Sequence, residues 1–186
     1  MANRNTQGFG LIAAGALGST PATSGQGKYK IDAGYGTTLF HGGAVASAAG
    51  YIVDGQTTDA PILGVLNGIF YNAATTLKPT FANHYVQVTP ANSEDIDAFV
   101  FDNPQQQYVV ATDDAVAQAG YLETYDMNTT AGSTTTGQSS ATLDIGDTSA
   151  DAASWRLLRS AEDPENDENA AFRSVVVVAN LIELQS

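Results

Sequence analysis

The chain has no cysteine, which removes disulfide staples, thiolate metal sites and cysteine nucleophiles together. It has two histidines, His41 and His84, and neither has a second histidine at metal-ligand spacing. Each lies beside an aromatic residue, Phe40 or Tyr85, so both are expected as polar residues at strand ends. No run approaches the roughly 18–20 consecutive apolar residues of a membrane-spanning helix. Basic side chains are scarce, 7 against 20 acidic ones, for a formal charge of −13. Affinity for nucleic acid rests on Lys and Arg, so neither nucleic acid nor a membrane is expected as a partner. No Walker loop and no G-x-S-x-G occurs.

The charge is unevenly spread. Residues 1–50 hold Arg4, Lys28 and Lys30 against Asp32, whereas residues 51–186 hold four basic and nineteen acidic side chains. The first 27 residues are rich in Gly, Ala, Ser and Thr and lack any sustained period. Their stretch "GFGLIAAGALGS" admits three readings. As the apolar core of a signal peptide it is broken by Gly8, Gly10, Gly15 and Gly18. As a dinucleotide loop, Gly8-x-Gly10-x-x-Ala13 lacks the strand that must precede it and the helix that must follow. The third reading is an extended arm, which at full stretch reaches about 90 Å, far beyond a body whose radius of gyration is about 16 Å.

From Lys28 onward, short β-like runs recur, and 43% apolar residues over 186 positions support one packed domain. "KYKID" alternates as a half-buried edge strand. In "PILGVLNGIFYN", a strand reading sets Gly64, Leu66 and Gly68 on one face, open to another backbone. "DIDAFVF" and "QYVVAT" flank the turn Asp102 to Pro104 and are expected to pair as a hairpin. One short helix is expected after Thr112 as its cap, with Asp113 and Asp114 in the first turn and Gly120 at its end. "RSVVVVANLIEL" is apolar on both sides, which means a central strand or one buried by a neighbouring subunit. Val175, Val176, Val177 and Val178 are therefore candidate subunit-interface residues. Trp155, flanked by Arg156 and Arg159, is another, with a core position as the competing reading. The fold expected is mainly β: a compact barrel or sandwich over 28–186, an extended N-terminal arm over 1–27, and at most one or two short helices.

Chemistry is thin. Glu94, Asp95 and Asp97 supply carboxylates of the kind a glycosidase uses, but an exposed strand end explains them as well. "DPENDEN" places Asp163, Glu165, Asp167 and Asn169 at alternate positions, yet Glu168 and Ser174 stand where a calcium loop needs Gly and Glu. No catalytic residue, cofactor or metal is assigned, and the composition points to a protein whose work is contact.

Taken in order, several segments resemble the head-decoration, or capsid cement, proteins of tailed bacteriophages. They are "GFGLIAAGALGSTPATSG", "YKIDAGYGTTLFHGG", "ILGVLNGIFY", "TLKPTF" with "NHY", "DIDAFVFDNPQQQYVV", "AGSTTTGQSSATLD" and "RLLRSAEDPEN". The resemblance implies a non-enzymatic protein on the outer surface of the virion, bridging neighbouring major capsid subunits without a cofactor. It also implies a homo-oligomer, a trimer before a dimer. In that setting Phe9, Leu11, Ile12 and Leu17 become candidate capsid contacts on an arm that adds a strand or fills a groove. A tail or fibre component and a carbohydrate-binding module on the virion surface are the competing readings.

Overall fold

The computed structural model describes residues 3, 5–18, 25–56, 61–128, 130–148, 153–167 and 169–185. Two antiparallel sheets account for almost all of its regular structure. The first runs in the order β1 (Ile12–Ala16), β8 (Gln106–Ala111), β12 (Ser174–Ala179), β11 (Trp155–Ser160), β9 (Thr124–Asn128), β10 (Thr142–Thr148). The second runs β2 (Gly27–Ile31), β7 (Ile96–Phe101), β5 (Gly64–Asn72), β3 (Ala44–Ala48), β4 (Tyr51–Asp54), with β6 (Pro79–Ala82) also paired to β5. The arrangement is sandwich-like. The second sheet curls until β2 and β4 come into contact, but among the described residues no ladder joins them and no barrel closes.

Alternation explains how two cores arise from these strands. In β5, Val65 faces the first sheet and packs with Tyr108, Trp155, Val175 and Val177, while its neighbour Leu66 faces the inside of the curl. That inner core gathers Ile31, Val45, Ile52, Ile69, Tyr85, Ile96 and Val100. A period of two places consecutive residues on opposite faces, so the second sheet serves both cores. A bulge between Leu66 and Gly68 shifts the register. Leu66 and Gly68 therefore lie on opposite faces, correcting the expectation that they share one. The expected close approach of backbone holds at Gly64, where a Cβ would stand 2.2 Å from the Phe101 carbonyl oxygen.

Three further expectations need correction. β7 and β8 do not form a hairpin: β2 and β5 occupy both edges of β7, and β1 and β12 those of β8. The turn between them instead carries the chain from one sheet to the other. No helix follows Thr112, because its N–H donates to the Arg173 carbonyl (2.9 Å) and its carbonyl accepts from Phe172 N–H (2.9 Å). Asp113 accepts from Ile145 N–H (2.9 Å). Groups that would start a helix thus extend the sheet, leaving a single 3-10 turn at Gln118–Gly120.

The third correction concerns the arm. Over residues 5–18 it belongs to the body. Leu11 is 2% exposed in the core between the sheets, its N–H donates to the Gly42 carbonyl (2.8 Å), and β1 pairs antiparallel with β8. The glycines that break a signal-peptide helix have a packing cause. A Cβ on Gly8 would stand 2.1 Å from the Ser140 carbonyl oxygen, and one on Gly10 (φ +72°) would stand 2.8 Å from that of Gly42. Residues 19–24 of the expected arm lie outside the described residues.

Candidate functional site

The structure divides the contact candidates read from the sequence. Leu11 is core, Phe9 and Leu17 are half-buried, and Ile12 is 48% exposed. The Phe9 carbonyl accepts from the Gln138 amide (2.6 Å). Of the four, Ile12 alone is a surface side chain. It stands on the outermost strand of its sheet, and among the described residues no strand pairs with the outer edge of β1. Edge strands are ordinarily blunted by charge, proline or shortness, yet "IAAGA" has neither charge nor proline. A bulge between Ala13 and Gly15 interrupts its edge, and the strand is five residues long.

The subunit-interface candidates are all interior in the single chain. Trp155 is 1% exposed and meets Tyr108 edge to face at 5.6 Å. Val175, Val176, Val177 and Val178 are buried without any partner. The reason is position: β12 lies between β8 and β11, so its two-sided apolar pattern marks a central strand. The subunit-interface reading of these five residues is thereby corrected.

A second surface was not singled out from the sequence. On the outer face of the curled sheet, Lys28 stands opposite Phe99 and Lys30 opposite Asp97. Asp97 in turn stands opposite Phe70, and Phe70 opposite Phe81. Phe81 is 64% exposed, leans over Gly68 and sets its ring 6.0 Å from that of Phe99. Lys28 and Lys30 hold Asp97 between them at 2.7 and 2.6 Å. Burial pushes the Asp97 carboxyl up, but the hydrogen bonds from the two lysines outweigh it and hold the group below the ordinary carboxylate range. Lys78, in the turn between β5 and β6, completes the set of lysines in the chain. The clue in the sequence was one phenylalanine in each of "GIFYN", "TFAN" and "AFV", which acquires meaning only once the strands are paired.

At one corner of this face a cavity of about 290 Å³ is lined by Lys30, Phe70, Asn72, Glu94, Asp95 and Asp97. Two of its three carboxylates are engaged, Asp97 by the lysines and Asp95 by the Tyr51 hydroxyl (3.2 Å). On the opposite face of β2, burial and a hydrogen bond to Asp102 (2.7 Å) push the Tyr29 phenol up to about 12.

The remaining motifs have structural roles. His41 bonds the Asn67 carbonyl through Nδ1 (2.9 Å), and His84 stacks on Phe40 with ring centroids 6.3 Å apart. In the acidic loop, the Asn166 amide donates to the Ser174 carbonyl (2.8 Å) and its oxygen accepts from Ser174 N–H (2.9 Å). Asn3 donates to the carbonyls of Asp167, Ala170 and Ala171. Asp163 and Asp167 accept from the N–H groups of Glu165 and Asn169 (both 3.0 Å). Among the described residues no three of His, Asp or Glu gather as metal ligands. Among the described residues, the fold and its surfaces define a two-sheet β domain with an unpaired sheet edge and an open aromatic face. No family model, curated protein or solved structure matches the chain.

Proposed function

We propose that this chain is a structural protein of a bacteriophage head, added to the outer surface of the capsid and bridging neighbouring major capsid protein subunits. In this reading it acts as a homo-oligomer, a trimer before a dimer, and needs no cofactor. The ordered run of resembling segments supports the reading. The observation that carries it is the bare edge of β1 with Ile12 exposed beside it. An uncharged edge accepts a strand or loop from another protein through main-chain hydrogen bonds, and repetition over a shell multiplies weak contacts through effective concentration. The acidic remainder of the chain then meets solvent.

Co-sedimentation of the purified chain with heads that lack it tests the reading. The wild-type chain is expected to bind and to raise the temperature at which the heads rupture. Ile12→Asp is expected to stay folded and bind at least about tenfold more weakly, the scale of an interface anchor. A wild-type chain that stays in the supernatant overturns the reading, and undiminished binding by the variant moves the contact away from β1.

The cavity beside Phe70 favours a second reading, a carbohydrate-binding module. An aromatic wall with amide, lysine and carboxylate groups around it suits a saccharide. Glycan-array binding lost in Phe70→Ala would support that reading over the first.

A further inference from the structure

We propose that one copy of this chain docks head to tail on another, the acidic loop of the first seated on the phenylalanine face of the second. The proposal rests on the self-association part of the reading above and not on the capsid part. Two observations meet in it. The first is the face. Phe81, Phe99 and Phe70 form an open apolar strip on a sheet whose other face is packed. All three lysines of a chain with charge −13 lie on this face or in its bordering turn. Lys28 is 59% exposed and marks the open positive side, whereas Glu94 and Asp95 close the corner beyond Lys30. An exposed apolar patch bordered by charge is the form of an interaction site.

The second observation is the loop at 162–167. Its tip carries exposed Pro164 between Glu162, Asp163 and Glu165, so an apolar ring is flanked by carboxylates. The loop is held in shape before any docking. Asn166 ties it to Ser160, Ala161 and Ser174, and Asn3 ties it from the other side. Pre-organisation lowers the ordering cost of association. The chemistry is complementary: carboxylate, proline, carboxylate against lysine, phenylalanine, lysine.

Self-association of so acidic a chain must occur where repulsion is least. On this face the exposed Lys28 and the bordering Lys78 set positive charge beside an apolar strip, where a neighbour's acidic loop is attracted. Two different surfaces are used, so the contact is heterologous, and copies either close into a ring or run on.

Sedimentation velocity on the full chain, from about 1 μM to about 1 mM, covers the range of weak protein contacts. The wild-type chain is expected to assemble, and to do so more weakly as salt rises from about 0.1 M to about 1 M and the Debye length falls from about 10 Å to about 3 Å. Phe81→Ser and the double variant Glu162→Lys/Glu165→Lys alter exposed side chains, so both should keep the wild-type circular dichroism spectrum. Each alone is expected to lose at least about tenfold in affinity.

An equimolar mixture of the two is the decisive sample. The Phe81→Ser chain keeps its loop and the double variant keeps its face, so the pair should form a heterodimer with wild-type affinity. Variants that stay monomeric when mixed overturn the head-to-tail contact, and a double variant that assembles alone while Phe81→Ser does not overturns it in favour of a face that meets itself. A wild-type chain that assembles while both variants do likewise overturns the proposal and leaves self-association standing. A wild-type monomer throughout the range overturns both. If that monomer then loses binding to heads or glycans through Phe81→Ser, the face belongs to that other occupant.

Discussion

Leu11→Ala asks whether the glycine-rich start of the chain is arm or body. Leu11 is 2% exposed and lies in the core between the sheets with Val65, Val110 and Leu143. Truncating a buried leucine to alanine costs about 2–5 kcal/mol, from lost transfer energy and the cavity left behind. The backbone beside it is fixed by hydrogen bonds to Gly42 and Ala141, which limits collapse into the space and favours about 3 kcal/mol. For a chain of this length that lowers Tm by roughly 6–12 °C. The assay is built in. Trp155 is the only tryptophan and is 1% exposed, so its emission shifts to the red as the core opens. Ile12→Ala, one residue along on an exposed side chain, is the control and should fall within about 0.5 kcal/mol of wild type. Leu11→Ala unfolding at the wild-type urea midpoint would refute the assignment of this segment to the body. By the same reasoning, removing residues 1–18 deletes a strand and a core side chain, so lost head binding in such a truncation would report unfolding as much as lost contact.

Val177→Asp buries a carboxylate between the sheets beside Trp155 and Tyr108 and should leave the chain unfolded, seen as lost near-ultraviolet circular dichroism; a folded chain with altered oligomeric state would restore the subunit-interface reading. Asp97→Asn tests the lysine clamp through pH. The native carboxyl is held below its unfolded value, so its contribution is present above about pH 4 and is lost as pH falls through the native value. The variant should be less stable than wild type near neutrality, with the gap in urea midpoint closing below about pH 4; a gap that stays constant down to acid unfolding would contradict the clamp.

The strands with strong local patterns were legible in the sequence. "KYKI" alternates and forms an edge, "DIDAFVF" buries Ile96, Ala98 and Val100 as its period requires, and the valine run is a strand apolar on both sides. What covers that run was not legible, because two-sided burial is the same in sequence whether β8 and β11 or a second subunit provides the cover. β1 was missed for a different reason: "IAAGA" has little intrinsic strand signal and is a strand by virtue of its pairing with β8. The aromatic face was hidden by distance along the chain. Phe70, Phe81 and Phe99 come from three strands, and the bulge after Leu66 decides which way Phe70 and Gly68 point. At Thr112 a good capping sequence lost to strand pairing, since its N–H and carbonyl are both committed to the segment at 172–173.

The proposed place of this protein on a capsid is tested most directly by counting copies. Quantitative mass spectrometry of virus particles purified from the source of this chain gives its abundance relative to the major shell protein. The account predicts a ratio close to that of the shell protein, as expected of a component spread over the whole head. A few copies per particle would place the chain in the tail, and its absence from particles would contradict the account.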